Sequence, residues 1–288
     1  MYKKPKVSVL MPIYKTDEQF LKEAIESVLA QTFTNFELLI LDDCPEDTRE
    51  NLVKSFKDKR IKYIKSNENS GIARARNKLI NMAKGNYLAV MDHDDISLPT
   101  RFEKQVTALD EDPNIGVVGC FAKSFPDGNL YKFPKDDFEI KKLLMGTCAI
   151  MHPASMIRKS VLTNNNVFYE EMYSPAEDYR LWLRLIPFTK FYNIDEVLFC
   201  YRFHENNTSK KQSSKMRDAT KKLSNEIKVK YPVLYQAYLD DRTQISRWRL
   251  LGIIPFLTIK KNQNKIKIYL FGLLILSSKR SIVPWPNK

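Results

Sequence analysis

Glycine is scarce in this 288-residue chain: eight residues, against 14 prolines. That excludes a collagen-like or linker-rich architecture. There are only four cysteines, Cys44, Cys120, Cys148 and Cys200, far apart and without a CxxC or a Cys/His pair at metal spacing. A disulfide scaffold and a zinc finger are therefore excluded, and reduced thiols in a cytosolic protein are the simplest reading. Long apolar runs are missing too. The longest, Leu250–Ile259 and Ile268–Leu276, are about half the length a spanning helix needs. The amino end is charged at Lys3, Lys4 and Lys6 and apolar only over Val7–Ile13. A secretory signal needs a longer apolar stretch and a small-residue cleavage site. Neither export nor a transmembrane segment is expected.

What is present is an ordinary globular balance, 43% hydrophobic and 28% charged residues, which excludes a disordered chain. The length suits one large domain, or one and a half. The net charge of +13 is unevenly placed. Residues 1–204 carry 29 basic and 29 acidic side chains; residues 205–288 carry 18 and 5, with no acid after Asp241. Such asymmetry points to an appended segment facing an anionic partner.

Val7–Ile13, Phe36–Leu41, Ile61–Lys65, Tyr87–Met91 and Ile115–Ala122 read as buried strands. Between them, Asp17–Gln31, Glu46–Phe56, Gly71–Lys84 and Pro99–Asp110 read as helices. Thr16 is the expected N-cap of the first, and Gly85 the expected stop of the third. This alternation predicts an α/β fold, a mostly parallel sheet with helices on both faces. Ligands of such sheets bind beyond the carboxyl ends of the strands. Further on, Asp127-Gly128 marks a hairpin turn. Phe138–Met145 and Ala176–Ile186 read as helices, Ala154–Arg158, Phe191–Ile194 and Val197–Arg202 as strands. Ser209–Lys230 reads as a long basic helix, and Tyr231–Thr243 as another. In the tail, Arg249–Ile254 and Tyr269–Leu274 repeat at a spacing of 20 residues. They predict a hairpin-like pair of apolar segments with basic ends. The expected divisions are 1–205, a basic helical segment 206–245 and the tail 246–288.

Two strands end in acidic pairs. Asp92 and Asp94, two apart at a strand end, share a side and suit a hard cation such as Mg²⁺ or Mn²⁺. A polar turn before the next helix is the plain alternative. Asp42-Asp43 could accept hydrogen bonds from a base or ribose, or cap the following helix. Asn69–Asn77 opens a helix where small residues and Arg74 and Arg76 could meet a diphosphate; a solvated basic first turn is the other reading. Glu177-Asp178 at a helix start either balances the dipole or supplies a general base. His204 follows a strand beside the basic segment, and His152-Pro153 is a weaker case of the same kind.

Taken together, VSVLMPIYK, FELLILDD, SGIARARN, YLAVMDHDD, AEDYRLWLRL and YRFH resemble, in order and spacing, the family 2 glycosyltransferases over about residues 6–204. The resemblance implies a GT-A fold and inverting transfer from a nucleotide-sugar, with UDP the expected carrier. It implies that Pro12, Ile13 and Tyr14 line the nucleoside pocket and that Asp42, with Asp43, binds the base. Arg76 would lie near the nucleotide. Asp92 would contact ribose or the metal, and Asp94 would ligate Mn²⁺ or Mg²⁺. Asp178 would be the catalytic base, and His204 would meet the diphosphate or metal. Asp95, Glu177, Arg74 and His152 are further candidates. The QxxRW motif and membrane helices of the family's synthases are absent from the sequence, which argues against a processive synthase.

For the tail, Leu/Ile/Phe segments bracketed by Lys and Arg, with Trp248 and Trp285, suit an anionic membrane surface. A homodimerisation hairpin is the alternative, and no nucleic-acid module is present. The expected partners are thus a UDP-sugar, a glycan acceptor of lipid-linked or envelope type, and the inner face of the cytoplasmic membrane. Two other functions fit less well. A sugar-nucleotidyltransferase would carry a Gly-rich loop, and LMPIYKTDE has no glycine. A non-catalytic nucleotide-sugar-binding protein would not need Asp92, Asp94 and Asp178 intact.

Overall fold

The computed structural model describes residues 4–205, 207, 212–243, 245–250, 254–262, 265–270 and 273–279. Its contacts divide the chain into two compact units, Met1–Leu223 and Ser224–Lys288.

The first unit runs β1 (Val7–Ile13), α1 (Glu18–Leu29), β2 (Phe36–Asp42), α2 (Glu50–Ser55), β3 (Ile61–Lys65), α3 (Ile72–Met82), β4 (Tyr87–Val90), β5 (Ile96–Ser97) and α4 (Arg101–Glu111). It continues β6 (Ile115–Phe125), β7 (Leu130–Tyr131), α5 (Asp137–Leu143), β8 (Met156–Arg158), α6 (Lys159–Asn164), α7 (Glu177–Leu185) and β9 (Lys190–Arg202). One sheet orders its strands β3-β2-β1-β4-β8-β6-β9-β5, with β7 beside β6. The half β3-β2-β1-β4 is all parallel. In the other half β8 runs antiparallel to β4 and β6, while β6 and β9 are parallel. This is the expected α/β architecture.

Every residue of β1, β2 and β4 is buried, because helices cover both faces. Val7, Val9, Met11 and Ile13 join Leu38, Ile40 and Ala89 in a cluster with Leu21, Ala24, Ile25 and Val28 of α1 and Phe102, Val106 and Leu109 of α4. The alternate residues Leu10, Leu39, Leu41, Leu88 and Val90 are equally buried on the opposite face, where α3 packs on β1 and β2. Each such side chain contributes roughly 1.5–3 kcal/mol. The strand order reverses between β1 and β4, so the binding crevice falls beyond their carboxyl ends.

Arg101 is fully buried. Its Nη2 donates to the carbonyls of Val90 (2.7 Å) and Ser155 (3.1 Å) and its Nε to Gln105 Oε1 (3.2 Å). It therefore fastens the end of β4 to the segment entering β8.

Three local expectations are corrected. Asp17, not Thr16, caps α1, accepting from the amides of Gln19 (2.9 Å) and Phe20 (3.1 Å). The helix starts one residue later than Thr16 would set it. Gly85 does not terminate α3, whose C-cap is Ala83. Instead a Cβ at Gly85 would lie 2.6 Å from the amide nitrogen of Ser8, so the glycine allows close approach to β1. Phe191–Ile194 and Val197–Arg202 are one strand, β9, whose register against β6 shifts near Cys120 and Phe121.

In the carboxyl-terminal part, α8 (Ser213–Lys230) and α9 (Pro232–Thr243) precede an antiparallel meander of β10 (Ile245–Leu250), β11 (Ile254–Asn262), β12 (Lys265–Leu270) and β13 (Leu273–Lys279). The single apolar hairpin expected of the tail is thus corrected to four strands. Each repeat copy runs from the end of one strand towards the next, splitting the apolar run in two; Gly252 and Gly272 lie outside the described residues. Pairing matches Arg247 with Thr258, Lys260 with Lys267 and Lys265 with Lys279. Among the described residues no helix is long and apolar enough to cross a membrane.

Candidate active site

The crevice is framed by the segments following β1, β2 and β4. Pro12 and Ile13 end β1, and Tyr14 follows, 41% exposed at the rim. The Asp43 amide donates to the Ile13 carbonyl, and the Met91 amide to that of Leu10, which brings the acidic strand ends beside β1.

Asp42 and Asp43 are both buried and engaged. Asp42 accepts from the Cys44 amide (3.1 Å), the Arg49 amide (2.7 Å) and the Tyr63 hydroxyl (2.8 Å). Asp43 accepts from the amides of Ser70 and Gly71 and from Ser70 Oγ, each at 2.9 Å. Gly71 has φ +80°, a conformation that glycine tolerates best, and α3 begins at the next residue. The two carboxylates therefore shape the loops on the β2 side of the crevice. Arg74 is turned outward and pairs with Glu171 at 2.8 Å.

Arg76 lies deeper, 6% exposed. Its Nη1 donates to Glu177 Oε1 at 2.7 Å and its Nη2 to Asp92 Oδ1 at 3.3 Å. Burial opposes its charge, but Asp92 and Glu177 outweigh that and raise its pKa. Among the described residues neither Arg76 Nε nor Glu177 Oε2 has a hydrogen-bond partner.

The Asp92–Asp95 cluster sorts its members by environment. Burial raises the pKa of Asp92, with Arg76 opposing and Asp94 reinforcing. Burial would raise Asp94 too, but its bond to His204, the neighbouring His93 and a backbone hydrogen bond together outweigh this and lower it; His204 Nε2 lies 2.8 Å from Asp94 Oδ2. Asp95 is pushed well up by burial and by Asp94 and Asp92. Its Oδ1 accepts from the Arg202 amide at 2.7 Å, while its Oδ2 has no partner among the described residues. Arg202 also donates to the Asp94 carbonyl, which ties the YRFH segment to the cluster.

Asp178 begins α7 beside Glu177. Burial and the neighbouring Glu177 push its carboxyl up to about 7, with Arg76 opposing. A carboxylate with that pKa can exchange a proton near neutral pH. His152 is buried and hydrogen-bonded to the Tyr169 hydroxyl at 2.8 Å. Burial and then Arg76 hold its pKa well below the ordinary value, so the ring is neutral.

The structure thus gathers Arg76, Asp92, Glu177 and Asp178 on one side, and Asp94, Asp95 and His204 on the other; the expectation that Asp92 and Asp94 share a side is corrected, because β4 ends at Val90 and the turn beyond it does not keep the strand period. Among the described residues no three His, Cys, Asp or Glu side chains converge as a metal cage. Asp94 and His204 nevertheless form an oxygen-and-imidazole pair that suits Mn²⁺ and leaves positions for phosphate oxygens. The acidic surplus, with Asp95 Oδ2 lacking a partner among the described residues, fits a cation there. Tyr63 and Tyr169 were not read from the sequence, where no motif marks them, and Ser70 was read only as part of Asn69–Asn77; their partners are revealed by tertiary contacts alone.

A curled α/β sheet with this acidic crevice is the GT-A arrangement. Residues 8–165 match the family described as Glycosyl transferase family 2, and the chain belongs to that family of glycosyltransferases. An uncharacterized glycosyltransferase of Methanocaldococcus jannaschii is 36% identical over 208 residues, 69% of this chain and 71% of the relative. The crystal structure of S. aureus TarS 1–349 in complex with UDP-GlcNAc superposes with a TM-score of 0.65 at 21% identity, over 77% of this chain. The chain spans 66% of that structure's length. The mannosyltransferase PcManGT from Pyrobaculum calidifontis, in complex with GDP-Man and Mn²⁺, gives a TM-score of 0.62 at 16% identity, over 83% of this chain and 70% of its own.

Proposed function

We propose that this glycosyltransferase moves a sugar from a UDP-sugar to a hydroxyl of a glycan acceptor, with inversion and with Mn²⁺ or Mg²⁺. The observation that carries the reading is Asp178, a carboxyl with its pKa pushed up to about 7, linked through Glu177 and Arg76 to Asp92. Asp178, ionised, takes the proton of the acceptor hydroxyl as that oxygen attacks the anomeric carbon. The new C–O bond forms as the bond to the diphosphate breaks, so an α-linked donor gives a β-linked product. Asp94 and His204 would hold the divalent ion, which when bound neutralises charge on the leaving diphosphate. Pro12, Ile13 and Tyr14 flank the base, and Asp42 and Asp43 fix the loops around it. The UDP-GlcNAc bound to TarS and the GDP-Man and Mn²⁺ bound to PcManGT support a nucleotide-sugar donor. Membership of a glycosyltransferase family sets the nucleotidyltransferase reading aside.

The test is hydrolysis of a panel of UDP- and GDP-sugars with Mn²⁺, Mg²⁺ or EDTA. Slow, metal-dependent release of UDP from one donor, lost in Asp94→Ala, is expected. Turnover of a GDP-sugar alone would overturn the carrier, and unchanged turnover in EDTA the metal. Retained configuration in the transferred product would overturn inversion.

The carboxyl-terminal sheet supports one further element of this reading. Its strands carry Arg247, Arg249, Lys260, Lys261, Lys265, Lys267 and Lys279 and no acidic residue, a composition that suits anionic headgroups, each basic residue adding about 1 kcal/mol near such a surface. A lipid-linked acceptor at the inner face of the cytoplasmic membrane is consistent with that.

A further inference from the structure

Behind Arg76 lies a second layer of contacts that the transfer reaction as described does not use. The Arg76 guanidinium sits 5.5 Å from the centroid of the Tyr169 ring. Tyr169 is bound to α3 one residue further along: Asn77 Nδ2 donates to the Tyr169 carbonyl (2.9 Å), and the Tyr169 amide donates to Asn77 Oδ1 (3.0 Å). The loop bearing Tyr169 and the helix bearing Arg76 are thereby locked together. The Tyr169 hydroxyl meets His152 Nε2 at 2.8 Å. The His152 ring in turn packs on Trp182 of α7, centroids 5.7 Å apart. Trp182 lies one helical turn beyond Asp178. The circuit closes where Arg76 reaches Glu177 on that same helix.

We propose that Tyr169 and His152 are positioning residues: a buried strut that fixes Arg76 against Glu177 and so sets the place of the adjacent base, Asp178. Three observations support this. Arg76, Tyr169 and His152 are each nearly inaccessible, so their arrangement is enforced by packing rather than by solvent-exposed contacts. His152 is neutral, and burial raises the pKa of Tyr169; the phenol keeps its proton, and its hydroxyl and Nε2 share one hydrogen bond between neutral groups. The buried cation finds an aromatic face as well as two carboxylates, and all three are needed because an under-compensated buried charge is costly. Since Arg76 also binds Asp92, the strut holds the donor side and the base side of the crevice in one register. The catalytic part of the inference rests on the assignment of Asp178 as the base.

Tyr169→Phe keeps the ring under Arg76 and deletes only the hydroxyl; Tyr169→Leu removes the ring face as well. Donor kcat is expected to fall several-fold in Tyr169→Phe and further in Tyr169→Leu, with donor KM unchanged. The melting temperature of Tyr169→Phe should move by no more than about 2 °C. A change in KM with kcat intact, or no change in either, overturns the proposal. Amide hydrogen exchange supplies a readout free of turnover. In Tyr169→Leu the first turn of α7 should exchange faster while β1, β2 and β4 keep their protection. Unchanged exchange there overturns the strut. If the wild type turns over no donor, the transfer reading fails and the exchange experiment still decides the strut.

Discussion

His204 Nε2 and Asp94 Oδ2, 110 positions apart in the chain, stand 2.8 Å from each other. The contact holds the segment after β9 against the segment after β4, with both side chains only slightly exposed. Two groups that act as one unit lose their effect together. Asp94→Ala and His204→Ala should each abolish stimulation of donor hydrolysis by Mn²⁺, and the double variant should be no worse than Asp94→Ala. A titration of UDP release against Mn²⁺ checks this. Full stimulation surviving in Asp94→Ala would remove Asp94 from the metal site.

Asp178 has a pKa of about 7 in the folded chain, against about 3.9 for an unperturbed aspartate. The folded state therefore binds the extra proton between those values. Its contribution to stability is complete below about pH 4 and is lost as pH rises through about 7. Activity runs the other way, because only the ionised carboxylate is a base. The expected profile is kcat rising with pH through about 7. Asp178→Asn should lower kcat by about 10²–10⁴ and raise the melting temperature most above neutral pH, where the buried charge is gone. Melting curves across the pH range and a pH–rate profile measure both. A destabilised Asp178→Asn at alkaline pH would contradict the assignment.

Much of this was legible before the fold was known. Central parallel strands are apolar throughout, so VSVLMPI, FELLILD and YLAV mark themselves, and the acidic residues at their ends mark the crevice. The strut was legible only in part: Arg76, His152 and Glu177 stood out singly, but nothing in the sequence joined them through Tyr169. Tyr169 lies in NNVFYEEMY, a segment with no period and no motif, and its partner Asn77 is 92 residues away. Thr16 and Asp17 are both good caps, and only the register of α1 against the sheet chooses between them. Gly85 sits where a helix stop is expected, but its conformation is not left-handed; the need for it comes from Ser8 on a neighbouring strand. The strand β5 has two residues, too short for any alternation to show.

Among the described residues Arg101 has no carboxylate hydrogen-bonded to it, and burial, only partly opposed by Cys120 and Asp95, lowers its pKa to about 10. Its value lies in the carbonyls of Val90 and Ser155, which it satisfies. Arg101→Ala would leave both without this donor and open a cavity beside Phe102 and Phe199. A loss of roughly 3–5 kcal/mol is expected, the range for emptying a large core site. Urea unfolding gives the number. A loss below about 1 kcal/mol would mean that other donors or water replace the guanidinium.

The register of the carboxyl-terminal meander pairs basic residues. Lys260 pairs with Lys267, and Lys265 with Lys279, so like charges occupy paired positions on neighbouring strands. Such pairs are destabilising in isolation and become favourable when a negative surface neutralises them. Binding of the full chain to vesicles of anionic phospholipid should therefore fall steeply with salt. It should drop by about tenfold or more in Lys260→Glu/Lys267→Glu, since each reversal removes one attraction and adds one repulsion. Vesicles of zwitterionic phosphatidylcholine should bind neither protein. Donor hydrolysis in solution serves as the control, because both substitutions lie outside the crevice residues. Equal sedimentation of variant and wild type with anionic vesicles would sink the membrane reading. Loss of dimers instead, with vesicle binding absent from the start, would assign the basic strands to contact with a second copy of the chain.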